Sequence, residues 1–209
     1  MPPIEIIGIP QSNFVWATRI AAAEKGVAHA NIPLPPGHPD VARLHPLGRI
    51  PLLRQDGFVL AESRAIMAFI DQGFEGPALI PRDPRAAAQA EQWVSLVVTS
   101  AEPVLIRRYL FAYLFPGTPD RSPDRARVEE VAPALDRHLA MLDAALGEGF
   151  LGGASFTLAD AYLVPILYWL RGLPESGARI AAARHLPGYL DRLLARPAVA
   201  ATVPPPLQG

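Results

Sequence analysis

Apolar and polar positions change their spacing several times along the chain. Ile4-Glu5-Ile6-Ile7 reads as a short strand, closed by Gly8 and Pro10. From Ser12 to Gly26 the spacing turns helical: Ser12 suits an N-cap, Ala17 to Ala23 favour helix, and Gly26 suits the far end. Ala28 to Ile32 reads as a second strand, and Asp40 to Leu44 as a short helix after a proline-rich turn. Ile50 to Arg54 and Phe58 to Leu60 form two apolar runs around Asp56-Gly57, which is a strong hairpin signal. Glu62-Ser63 opens a helix that runs to about Phe74. This order predicts a mixed sheet with helices packed on it.

Gly76-Pro77, Pro81 and Pro84 then interrupt the pattern, and everything beyond is helical. Ala86 to Phe115 holds one helix or two broken pieces. Val128, Leu135, Leu139, Leu142 and Leu146 mark another, stopped by Gly147. Thr157 to Leu170, Glu175 to Ala183 and Leu186 to Ala195 follow, and Pro204-Pro205-Pro206 cannot continue a helix. The expected division is an α/β domain over residues 1–78, a linker over 79–85 and an all-helical domain over 86–209.

Composition narrows the chemistry. The chain has 209 residues, half of them hydrophobic, which is enough for a packed core. A net charge of −1 gives no electrostatic reason to expect nucleic acid or an anionic membrane as partner. With no cysteine there is no disulfide, thiolate metal site or protein thiol nucleophile. Lys25 is the one lysine. The start lacks the pattern of a signal peptide, and the apolar stretch Ala161 to Leu170 is too short to span a bilayer, so a cytoplasmic protein is expected. No glycine-rich phosphate loop, serine-hydrolase elbow or paired histidine ligand spacing occurs, and no metal is expected.

Three features remain. Ser12 stands at a helix start, where free N–H groups and the helix field stabilise an anion; capping and anion contact both fit it. Arg49-Ile50-Pro51 places a proline at the opening of a strand, where the preceding backbone can face a ligand. Glu62-Ser63 sets a carboxylate, a hydroxyl and free amides at one helix start, a set able either to cap the helix or to hold an ammonium and a carboxylate together.

These features in this order, followed by an all-helical half, resemble the soluble glutathione transferases, in a bacterial-like form with a serine at the catalytic position. Gly8 to Gly26 resembles that family's first strand, catalytic turn and first helix. His45-Pro46-Leu47-Gly48-Arg49-Ile50-Pro51 is similar to its Asn-Pro-x-Gly-Lys-Val-Pro segment, and Glu62-Ser63-Arg64-Ala65-Ile66 to its Glu-Ser-x-Ala-Ile segment. Phe156-Thr157-Leu158-Ala159-Asp160 is similar to a late capping segment, a structural rather than catalytic element. The resemblance implies a thioredoxin-like domain followed by a helical domain, glutathione as co-substrate, a small hydrophobic electrophile and a homodimer, with Arg64 and the surroundings of Trp93 as contacts.

By residue, the resemblance implies Ser12 at the sulfur with Asn13 in reserve, and a cis Pro51 with the Ile50 backbone on the cysteinyl part. It implies Glu62 and Ser63 on the γ-glutamyl end and Arg49 on the glycyl carboxylate. Phe14 and Tyr113 are candidate electrophile contacts. Departures are also plain: Asn13 replaces a proline common in plant-type relatives, Trp16 a frequent arginine and His45 the usual asparagine. The first tyrosine is Tyr109, so no tyrosine lies near the N-terminus to act on the sulfur. A non-catalytic glutathione- or protein-binding member of the same fold, and a glutathione-dependent isomerase or dehalogenase, fit the same residues.

Overall fold

The computed structural model describes residues 3–147 and 149–206. The chain divides into two compact units, one holding residues up to Arg82 together with the chain from Leu194, the other running from Asp83 to Leu193.

In the first unit, β1 (Ile4–Ile7), α1 (Asn13–Glu24), β2 (His29–Ile32), α2 (Pro39–Leu44), β3 (Leu52–Gln55), β4 (Phe58–Ala61) and α3 (Ser63–Gly73) follow one another. The sheet order is β2-β1-β3-β4, with β1 parallel to β2 and antiparallel to β3. Strand alternation assigns the core faces. Ile4, Ile6 and Leu53 pack with Val15 of α1 and Ile66 and Ile70 of α3, whereas Ile7 and Leu52 turn the other way to meet Val41 of α2. Asp56 and Gly57 both take positive φ, 48° and 83°, the geometry that lets a two-residue turn follow the twist of the β3–β4 hairpin.

Several contacts tie the edges of this unit. Lys25 is buried beside Asp71, with Nζ 3.3 Å from the carboxylate and donating to the Asp71 carbonyl at 2.9 Å. Asp71 also accepts from the Leu79 and Ile80 amides at 2.7 and 3.2 Å. The end of the chain packs on α1: Arg196 grips Glu24 at 2.8 and 2.7 Å, and the buried Trp16 Nε1 donates to Thr202 Oγ1 at 3.1 Å.

The second unit holds α4 (Pro84–Leu96), α5 (Phe111–Leu114), α6 (Arg125–Leu146), α7 (Leu158–Arg171), α8 (Pro174–Ala182) and α9 (Leu186–Leu194), while α10 (Pro197–Ala200) belongs to the returning tail. Between α4 and α5 the chain neither breaks nor stays α-helical. Val97–Ala101 and Pro103–Leu110 widen to π-helix, with Glu102 N–H donating to the Val97 carbonyl five residues back. Pro103 supplies a local reason, since its missing N–H interrupts the four-residue ladder.

Nearly all of α7 is buried, and its start is a reciprocal cap between Thr157 and Asp160. Asp160 is fully buried: Oδ1 accepts from the Leu151 amide and the Tyr189 hydroxyl, both at 2.8 Å, and Oδ2 from the Thr157 amide at 2.8 Å and its hydroxyl at 3.3 Å. No helix among the described residues is long and apolar enough to cross a membrane.

Candidate functional site

The sheet register brings the sequence motifs together. Ile7 pairs with Leu52, and Leu52 with Ala61. One step further along that row lie Gly8, Pro51 and Glu62. The Ile50–Pro51 bond is cis. At this same end of the sheet β1 leads to α1 and β4 leads to α3, so two helix N-termini open beside the row.

Gly8 allows this convergence. Its φ is +147°, and a Cβ there would lie 2.5 Å from Val15 Cγ2 and 3.0 Å from Ile50 Cβ. Only a residue without a side chain lets the first turn of α1 and the Ile50 side chain approach the end of β1 together. Asn31 locks that end by donating to the Ile6 and Gly8 carbonyls at 3.0 and 2.8 Å. Neither Gly8 nor Asn31 stands out in the sequence as a site residue, because both act through the strand end.

Ser12 caps α1. Its Oγ accepts from the Val15 amide at 3.5 Å, and its backbone N–H donates to the Ile9 carbonyl at 3.1 Å. The cap uses an oxygen lone pair; among the described residues the Ser12 O–H has no acceptor. Asn13 is the first helical residue and is buried, and Phe14 follows half-buried. Arg49 is exposed before the cis bond.

Glu62 sits at the N-cap position of α3 with φ +69°, a conformation uncommon for a residue with a side chain, and makes no side-chain cap bond. Its side chain is mostly exposed, and Ser63 is the first residue of the helix. The nearby His45 ring is buried, with Nε2 3.5 Å from Glu62 Oε1.

Tyr113 belongs to the second unit. Its hydroxyl donates to Glu175, which also accepts from Tyr109 at 3.0 Å and Arg125 at 2.7 Å, and the Arg125 guanidinium covers the Tyr113 ring at 5.6 Å. Burial, joined by the Glu175 carboxylate, pushes the Tyr113 phenol well above its ordinary range. Of the paired aromatics, Tyr109 turns into the core and Phe115 is exposed, so the two i,i+4 pairs face different ways. No cluster of three or more His, Asp or Glu side chains among the described residues is arranged to hold a metal ion.

Comparison with known proteins agrees with this geometry. Residues 6–78 match the glutathione S-transferase N-terminal domain, and residues 105–197 the C-terminal domain. Glutathione S-transferase 3 of Zea mays is 33% identical over 223 aligned positions, covering 99% of this chain and 98% of the relative. The apo structure of glutathione S-transferase III superposes with a TM-score of 0.82 at 31% identity, over 98% of this chain and 100% of the other. A theta class glutathione S-transferase from Xanthomonas axonopodis pv. citri, solved with glutathione bound, gives 0.84 at 29% identity over the full length of both chains. The expected architecture, a thioredoxin-like domain with a mixed sheet followed by a helical domain, is the one observed. Both domains match in order and the relatives are covered almost end to end: the chain belongs to the glutathione S-transferase family.

Proposed function

We propose that this chain is a glutathione transferase in which Ser12 donates a hydrogen bond to the glutathione sulfur and stabilises its thiolate for attack on a small hydrophobic electrophile. The observation that carries the reading is the row Gly8–Pro51–Glu62, flanked by the N-termini of α1 and α3. A glutathione-bound family member of the same fold, aligned over the whole of both chains, supports it.

The ligand's three ends fit three kinds of group. The γ-glutamyl carboxylate meets the α3 start and Ser63, and its ammonium meets Glu62. The cysteinyl part lies along the Ile50 backbone beside Pro51, and the glycyl carboxylate faces Arg49. Phe14, beside Ser12, is the proposed electrophile contact, and Asn13 is the second candidate at the sulfur. We also propose a homodimer of this chain, checked by its mass in dilute solution.

A free thiol with pKa ~8.5 is a few per cent thiolate at neutral pH. A hydrogen bond to a charged acceptor contributes ~1.5–3 kcal/mol, equivalent to roughly one to two pKa units. The Ser12 O–H is available for that bond because its capping role uses only a lone pair. The α1 terminus adds its field, and holding the electrophile beside the sulfur supplies the remaining acceleration.

The test is calorimetric titration with reduced glutathione across pH, counting released protons, on wild type and Ser12→Ala. Wild type is expected to bind saturably and release protons near neutrality. Ser12→Ala is expected to bind with similar affinity, release fewer protons and lose about ten- to a hundredfold in conjugation rate with an activated aryl halide. Lost affinity with intact single-turnover chemistry would remove Ser12 from the sulfur; absence of binding at millimolar glutathione would remove the ligand.

A further inference from the structure

His45 stands where the family segment usually carries asparagine, and the structure shows what the histidine does there. The His45 amide donates to the Val41 carbonyl, and its own carbonyl accepts from the Gly48 amide, both at 2.9 Å. Its ring Nδ1 accepts from the Leu47 amide, also at 2.9 Å. That last bond spans two residues and is the turn an asparagine side chain makes with its carbonyl oxygen. Histidine therefore reproduces the asparagine turn and adds something asparagine lacks. With Nδ1 occupied as an acceptor, the neutral ring carries its proton on Nε2. The ring is 4% exposed, and Nε2 lies 3.5 Å from Oε1 of Glu62, whose side chain is 71% exposed and whose backbone is pinned at φ +69°.

We propose that His45 is a positioning residue for Glu62: its Nε2–H holds one carboxylate oxygen and leaves the other for the ammonium of the γ-glutamyl group. This rests on the reading of glutathione as the ligand given above. A mobile exposed carboxylate loses rotamer freedom when it binds a cation, and a fixed donor behind it reduces that loss. The buried ring, held by its own turn, supplies such a donor.

His45→Asn is the discriminating change, because it keeps the turn to Leu47 and removes the group that reaches Glu62. The variant is expected to melt like wild type and to bind glutathione about tenfold more weakly, the low end for a hydrogen bond to a charged group. Its affinity for glutaryl-cysteinyl-glycine, which lacks the ammonium, is expected to match wild type. Equal loss for both ligands, or no loss for either, would overturn the proposal. A ligand-free readout runs beside it: in the 15N spectrum of histidine-labelled protein, His45 is expected to be protonated at Nε2, and that resonance to move in Glu62→Gln. A proton on Nδ1, or a resonance indifferent to Glu62→Gln, would also overturn it. If wild type binds no glutathione, the parent reading falls, and the spectrum still decides the pairing.

Discussion

Asp160 offers a contest between two large effects whose outcome has a sign. Burial disfavours its charge, while the Leu151 and Thr157 amides and the Tyr189 and Thr157 hydroxyls favour it. Burial wins, and the carboxyl is raised from the ordinary 3.8 to about 6. That rise corresponds to about 3 kcal/mol. Because the folded pKa lies above the unfolded one, the contribution is fully present below about pH 3.8 and is lost as pH climbs through about 6. Roughly 2 kcal/mol of it falls between pH 4.5 and pH 7. The measurement is a difference against Asp160→Asn, which cannot ionise, so that pH effects from the rest of the protein cancel. Asparagine also leaves either the Leu151 or the Thr157 amide facing an N–H, a cost of ~1–3 kcal/mol that does not depend on pH. Urea melts of both proteins from pH 4.5 to 7 isolate the ionisation. Wild type is expected to gain about 2 kcal/mol relative to Asp160→Asn on acidification, or about 4–8 °C in parallel thermal melts. A difference independent of pH would show that the four bonds balance burial, and one of opposite sign that they outweigh it; either would refute the reasoning.

Gly8→Ala forces a Cβ to 2.5 Å from Val15 at φ +147°; we expect a loss of about 3 kcal/mol or more, with glutathione affinity falling as Ile50 is displaced, measured by melting and calorimetry. Arg19 has Nε and Nη1 buried without a hydrogen-bond partner among the described residues, so Arg19→Met is expected to hold or raise stability by about 1 kcal/mol; a drop of several degrees in Tm would contradict this. Thr202→Val removes the bond that the buried Trp16 indole N–H makes to Thr202 and is expected to cost about 2 kcal/mol, with a shift in Trp16 fluorescence as the chain end loosens on α1.

The elements legible in the sequence are those whose cause is local. The Asp56-Gly57 turn, the Ser12 cap and the Thr157–Asp160 box each depend on residues within three positions. The π-helical stretch was not legible as such, since four- and five-residue ladders share nearly the same apolar spacing; Pro103 was the available sign. α10 has four residues and owes its place to contacts spanning nearly the whole chain, such as Trp16 with Thr202. The site motifs were visible singly, but their meeting in one row depends on strand register. Nothing in the sequence marks His45 beyond its replacing an asparagine, because Glu62 is brought near it only by the fold.

Lys25 carries a practical consequence. It is the chain's one lysine, and its amine is enclosed by Asp71. Among the described residues, therefore, the solvent-facing surface offers no primary amine, and its positive charge is carried by arginine. Acylating reagents, aldehydes and amine-directed cross-linkers have nothing to couple to on that surface while α1 and α3 remain packed. A label arriving at Lys25 would time the parting of those two helices, making this side chain a built-in chemical clock for the opening of the first unit.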